Sequence, residues 1–307
     1  MSNTLDNDFK NLSVNGSKKR KSPNTVTQLE PKRSRRSYTV QPATSTIDLN
    51  QVTVSSMGYP VYQGEARIQM KKLFRNIWRV AFPDGSAVLV KKSTKRECQI
   101  LDALNSLRLR LLPLRKNVCN FVFGKRLIDN VIVMEAMDGD FLQLYKRHTI
   151  DLEVVFDTIK LVCDNCICLK KVTGWWYTDV KSENILYRKR GSSLEICLGD
   201  YEGLGNDRKF MFTYLYPGFL PDNQVRDIHV IWPLFITLLE GVFVVDNIDH
   251  TLIVNLRHNN INDQHILDIT TILKGSYKDI WNTLMSPKGY QFTLADFSIV
   301  LDNLYTK

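Results

Sequence analysis

The stretch Gly174-Trp175-Trp176-Tyr177-Thr178-Asp179-Val180-Lys181-Ser182-Glu183-Asn184-Ile185-Leu186-Tyr187 decides how this chain is read. It is followed by the strand-like Leu194-Glu195-Ile196-Cys197-Leu198, which runs into Gly199-Asp200-Tyr201-Glu202-Gly203. An Asp thus precedes a Lys by two positions and an Asn by five, and a second Asp sits in an acidic turn after a strand. Those residue types suit phosphoryl transfer. One carboxylate orients a hydroxyl, an ammonium sits on a phosphate, and an amide oxygen with a second carboxylate holds Mg2+. Taken singly, each has a plainer reading, since a lone Asp or Asn in a loop is usually a turn residue.

Around this stretch the texture of the chain divides. Ile77-Trp78-Arg79-Val80-Ala81-Phe82 and Ala87-Val88-Leu89-Val90 are β-rich runs flanking Pro83-Asp84-Gly85-Ser86, which predicts a hairpin. Lys95–Leu111 reads as a helix with Cys98, Leu101, Leu104 and Leu107 on its apolar side. Phe121-Val122-Phe123 and Val131-Ile132-Val133-Met134 read as two further strands. Beyond Gly139 helical spacing takes over, first in a long amphipathic helix through Leu152, Val155, Phe156, Ile159, Cys163, Cys166, Ile167 and Lys170. Ile266–Leu273, Lys278–Met285 and Leu294–Leu304 repeat that texture. A β-rich half followed by an α-rich half predicts an α+β protein of two lobes with a cleft between them.

With the motifs in this order, residues 70–305 resemble a protein kinase. Asp179, Lys181 and Asn184 match the catalytic loop of that family, and Asp200 matches the Asp of its metal-binding Asp-Phe-Gly motif. Val88-Leu89-Val90-Lys91 resembles the third-strand Val-Ala-Ile-Lys, which makes Lys91 the phosphate-anchoring lysine and Glu97 its partner on the next helix. Lys92 is the alternative anchor in a shifted register. Lys91 is preferred because Ile77–Lys91 matches the second and third strands without a gap, and because Leu89 and Lys91 share a strand face. Val131–Ala136 resembles the strand entering the hinge, with Met134 at the gatekeeper position and Glu135 and Ala136 beginning the nucleotide-binding hinge. Asp227 resembles the buried helix Asp that bonds the catalytic-loop backbone, and Leu238-Leu239-Glu240-Gly241 completes that helix in the family's manner.

The resemblance implies a bilobal protein-kinase-like fold. Its parts are a disordered basic tail (1–50), a β-rich, ATP-anchoring N-lobe (51–136) and a helical C-lobe with the catalytic loop and metal site (137–307). It further implies a serine/threonine protein kinase that uses ATP and Mg2+ on protein substrates. Lys181, in place of the pattern of tyrosine kinases, favours Ser and Thr. Departures are equally plain. Met70–Arg75 has no glycine where a Gly-rich loop is expected, and Gly58 and Gly64 lie far upstream. Tyr177-Thr178 replace His-Arg, Glu202 replaces a glycine, and Tyr216-Pro217-Gly218 stands where Ala-Pro-Glu is expected. Such drift resembles that of fast-evolving, viral kinases and motivates a rival reading, a pseudokinase scaffold. Thr178 leaves no arginine for a phosphorylated activation loop, although Thr213, Tyr214 and Tyr216 are candidates for modification and Arg208 or Lys209 for the missing charge.

The 307 residues are 44% hydrophobic and 24% charged, a balance that supports a real core without disulfide staples. Six scattered cysteines predict reduced thiols and an intracellular protein, and Cys163, Cys166 and Cys168 lack the partners of a zinc site. No apolar leader follows Met1, and Val230–Val245 carries Pro233, Thr237 and Glu240, so it is read as a buried helix with no membrane role. The net charge of +9 is uneven. Residues 1–50 hold nine Lys and Arg against four Asp and Glu, and the rest hold 32 against 28. That polar segment is expected to be disordered. Its clusters Lys18-Lys19-Arg20-Lys21 and Lys32-Arg33-Ser34-Arg35-Arg36 resemble a bipartite import signal for an importin, which predicts a nuclear protein. A weak, nonspecific, salt-dependent nucleic-acid contact is the lesser role for such a tail. Replacing both clusters with alanine is expected to shift a fluorescently tagged chain from nucleus to cytoplasm. Unchanged nuclear accumulation, scored by microscopy, would remove the tail from import.

Overall fold

The computed structural model describes residues 38–44, 47–54, 60–62, 65–66, 69–111, 121–122, 124–128, 130–147, 150–206, 214–246, 248 and 263–305. The two basic clusters, Gly58, Gly64, Phe123, Arg208, Lys209 and Thr213 lie outside the described residues. Strand β1 (Thr39–Pro42) comes first, then β2 (Val52–Val54), β3 (Pro60–Tyr62) and β4 (Glu65–Ala66), of which the last three form a small antiparallel sheet. Strands β5 (Gln69–Phe74), β6 (Ile77–Ala81) and β7 (Ala87–Lys92) follow as a meander. The β6–β7 turn is the expected hairpin. Asp84 accepts the Ser86 N–H at 2.9 Å, and Phe82 and Ser86 close the ladder at 2.9 Å.

After β7 the chain enters α1 (Lys95–Leu111), then β8 (Gly124–Ile128) and β9 (Val131–Glu135), which complete an antiparallel sheet of order β5-β6-β7-β9-β8. Alternation gives that sheet two apolar faces. Val80, Val88 and Val133 meet Ile47, Leu49, Val52 and Tyr62 on one face. Leu89, Ile132 and Met134 join Cys98, Leu101 and Leu104 of α1 on the other, which belongs to the larger core. The expected strand at Phe121–Phe123 is displaced. Phe121 makes a single bridge to Leu198, and the sheet strand starts at Gly124. Phe121 is buried, and its ring partners Tyr177 and Tyr201 lie in the other lobe.

The helical lobe opens with β10 (Gly139–Asp140) and α2 (Phe141–Lys146), followed by α3 (Leu152–Thr173). Asp151 caps α3, accepting the Val154 N–H at 3.0 Å, and Cys163 and Cys166 fill its core face. Next come β11 (Trp176–Tyr177), β12 (Ile185–Arg190), β13 (Ser193–Leu198) and β14 (Leu204–Gly205), then α4 (Ile228–Val245). Helices α5 (Asp263–Ile272), α6 (Gly275–Met285) and α7 (Leu294–Tyr305) end the fold, within a few residues of the helical stretches read from spacing. All 18 residues of α4 are buried, so its membrane-like composition is that of a central core helix. Gly241 lets the neighbours close in, since a Cβ there would lie 2.8 Å from the Tyr145 hydroxyl and from Val155.

The expectation of an unstructured segment through residue 50 is corrected over its last part. β1 adds to β13 as a parallel edge strand, Thr39 through Pro42 opposite Ser193 through Ile196. Tyr38 is 6% exposed and lies under the Lys189 ammonium, and Asp48 caps the short 3-10 turn Leu49–Gln51. Composition missed this because one strand gains its hydrogen bonds from a partner far along the chain, which local polarity does not encode. Tyr38→Ala is expected to cost about 2 kcal/mol and lower the melting temperature by about 4–8 °C in a thermal scan. A shift under one degree would show that the strand adds nothing to the fold.

Candidate active site

Lys91 is the fifth residue of β7 and faces the cleft by the same alternation that places Leu89 there. Its ammonium lies 2.7 Å from Glu97 Oε1 and 3.3 Å from Asp200 Oδ1. Burial by itself would strip charge from Lys91, but Asp200 and Glu97 outweigh it and hold the lysine above its ordinary pKa. Burial lifts the Glu97 carboxyl above its usual range despite that neighbour. Glu97 reaches this place because Thr94 caps α1, taking the Glu97 N–H at 3.1 Å, while Ser93 donates to the second Glu97 oxygen. Thr94-x-x-Glu97 has the spacing of a capping box, yet here the glutamate side chain is turned to Lys91 instead of the cap backbone.

Across the cleft, the catalytic-loop residues converge. Asp179 is 2% exposed, and its Oδ2 accepts from Lys181 Nζ at 2.8 Å and from Asn184 Nδ2 at 2.9 Å. Asn184 also donates to the Asp179 carbonyl at 2.9 Å. Gly203 must be glycine for this packing, because a Cβ would fall 2.7 Å from the Asp179 Cβ. Tyr177, at the expected histidine position, is fully buried and donates to the Gly199 carbonyl at 2.7 Å, tying this loop to the one that carries Asp200. Burial pushes the Tyr177 hydroxyl well above the usual phenol range, so it stays a donor. Phe121 packs edge-on against Tyr177 and stacked on Tyr201. Asp200 itself adopts φ 53°, a left-handed conformation that non-glycine residues rarely take outside functional turns.

Other expected residues take different roles. Met134 lies beside Leu89 on the cleft-side face. At the start of the expected hinge, the Glu135 side chain is paired at 2.8 Å with Arg188 of β12, and the Ala136 N–H goes to the Ala87 carbonyl at 3.3 Å. Asp227 binds Lys170 at 2.6 Å, the Trp176 indole at 2.8 Å and the Leu294 N–H at 3.1 Å, so its link to the catalytic loop runs through the Trp176 side chain. Tyr214 and Tyr216, offered as modification sites, are buried, and Tyr216 donates to the Leu284 carbonyl at 2.5 Å. Thr178 bonds the Gly203 carbonyl through its N–H at 2.9 Å.

Sequence reasoning missed three supports. Ser182 donates to Glu240 Oε2 at 2.6 Å; a carboxylate inside an apolar helix is the signal that a partner must exist. Arg188 joins Glu135, Glu195 and the Thr44 carbonyl, and Glu202 accepts from the Thr94 hydroxyl. Neither has a local sequence signature.

A strand-rich lobe carrying a paired lysine, hinged to a helical lobe carrying the Asp-Lys-Asn loop and a second Asp, is the fold of a protein kinase. The kinase PK-1 of Cydia pomonella granulovirus shares it, with a TM-score of 0.51 and 14% identity over 75% of this chain and 91% of that one. The Rad53 kinase domain with SCD2 gives a TM-score of 0.49 at 14% identity, over 78% and 88%. No family model and no curated protein matches the sequence.

Arg188 sits between two carboxylates that are each 2% exposed. Arg188→Ala removes this cation from both, while Arg190 stays 3.0 Å from Glu195, and a loss of about 1–3 kcal/mol is expected in chemical denaturation. A loss below about 0.5 kcal/mol would show that the Arg188 contacts add little to stability.

Proposed function

We propose that the chain is a protein kinase that transfers the γ-phosphoryl group of ATP to serine and threonine hydroxyls of protein substrates, with Mg2+. The observation that carries this reading is the convergence of Lys181 and Asn184 on one oxygen of Asp179, with Asp200 held by Lys91 across the cleft. A scaffold has no need of that arrangement. The donor chemistry fits a hard cation: Asn184 spends its amide nitrogen on Asp179, which leaves its carbonyl oxygen as a donor, and Lys91 binds Asp200 through Oδ1. Mg2+, when bound by Asn184 and Asp200, supplies neutralisation of phosphate charge.

The remaining roles fall to side chains of the chain itself. Lys91 presents a fixed ammonium to the phosphates, and Glu97 keeps it from swinging away. Asp179, oriented by two donors, accepts or orients the substrate hydroxyl. Lys181, beside it, steadies the transferred phosphoryl group. Serine and threonine are preferred on the resemblance carried by Lys181.

One observation favours a second reading, a nucleotide- or partner-binding scaffold. Phe74 pairs with Ile77, so Arg75-Asn76 make a tight turn without glycine where backbone amides of a Gly-rich loop would cover phosphates. The test incubates purified chain with labelled ATP, Mg2+ and a mixture of protein substrates. Asp179→Asn is expected to lower turnover by about 10²–10⁴ with ATP affinity nearly unchanged, the size of general-base help. Lys91→Met is expected to abolish transfer. ATP binding without transfer by the parent would select the scaffold.

A further inference from the structure

Glu202 and Thr178 are both departures from the kinase pattern, and the structure places their consequences side by side. Thr94 stands at the start of α1, where its hydroxyl caps the Glu97 N–H and donates to the Glu202 carboxylate. Two positions further on, Arg96 Nη2 donates to the Leu204 carbonyl at 2.7 Å. The segment supplying these acceptors is itself fixed. Leu204 and Gly205 pair with Tyr177 and Trp176, and Tyr201, fully buried, donates to the Val122 carbonyl. A carboxylate beside the first turn of a 17-residue helix also complements the positive end of the helix dipole. The same first turn carries Glu97, whose contact with Lys91 assembles the site.

We infer that Glu202 is a positioning residue. Together with the Leu204 carbonyl it clasps the first turn of α1, so that Glu97 stays against Lys91 without a phosphate on the following segment. This rests on the kinase reading for its functional meaning, but the clasp itself is a contact between two elements. It also accounts for the other departure. Thr178 cannot neutralise a phosphate, and its N–H and hydroxyl are turned to the Gly203 carbonyl, inside the segment that bears the clasp. The buried Tyr214 and Tyr216 are closed to modification in this conformation. Helix position is thereby set by a carboxylate encoded in the sequence.

The test uses hydrogen–deuterium exchange of residues 95–104 in the full chain, alongside steady-state phosphotransfer. Glu202→Ala leaves the Thr94 cap in place and is expected to speed exchange in the first turns of α1 about 3–10-fold, as loss of one net hydrogen bond would. Thr94→Ser keeps the hydroxyl and should match the parent. Thr94→Val should exchange faster, and adding Glu202→Ala to it should change little more. In turnover, Glu202→Ala should lower kcat by a similar factor with the KM for protein substrate unchanged. Unaltered exchange in Glu202→Ala would overturn the clasp, whether or not the parent transfers phosphate. A raised substrate KM with unaltered kcat would also overturn it, by placing Glu202 at the substrate. Exchange that responds as stated in a parent without transfer supports the clasp and separately defeats the kinase reading.

Discussion

One ammonium, Lys91 Nζ, is shared by a carboxylate from α1 and a carboxylate from the loop after β13. Three elements of separate origin must be in place for that contact to exist: a strand of the upper sheet, the helix behind it and the loop at the floor of the cleft. Glu97 is 1% exposed, and a buried ion costs several kcal/mol unless it is paired. The lysine therefore stabilises the observed position of α1 against the sheet. Asp200, a third exposed, is the partner that stays open to the cleft. The arrangement couples folding of the upper lobe to assembly of the site.

The helical lobe solves the complementary problem of holding polar groups inside an apolar frame. Glu240 lies within the buried α4 and takes the Ser182 hydroxyl, while Asp227, just before that helix, collects Lys170, Trp176 and Leu294. Both anchor the loop of Asp179 to α4, whose residues are all buried. Arg188 then ties β12 to the end of β9 and to Thr44, so the edge strand β1 and the hinge share one network. β1 pairs with β13 of the helical lobe, and Ile47, Leu49 and Val52 pack on the face of the upper sheet that carries Val80, Val88 and Val133.

Much of this was legible in the sequence, and the parts that were not share a cause. Lys91, Glu97 and Asp200 meet, as do Asp179, Lys181 and Asn184, and all six could be picked out because the family resemblance rests on residue type and order along the chain. The hairpin at Pro83–Ser86 and the helix Lys95–Leu111 could be read because their signals are local. β1 could not, because its hydrogen bonds come from β13, about 150 residues away in the chain. The Glu135 ion pair escaped for the same reason, its partner Arg188 being on another strand of another lobe. Glu202 looked like the loss of a glycine; only its contact with Thr94 gives the substitution a use.

The central claim is that Lys91, Asn184 and Asp200 form one site for a metal-bound nucleotide. Calorimetric titration of the full chain with ATP, with and without Mg2+, tests it most directly when the parent is compared with Asp200→Ala. The account predicts that Mg2+ tightens ATP binding to the parent by at least about tenfold, or about 1.4 kcal/mol, and that Asp200→Ala abolishes the gain. Equal affinity with and without Mg2+ in the parent, or a gain that survives in Asp200→Ala, would contradict it.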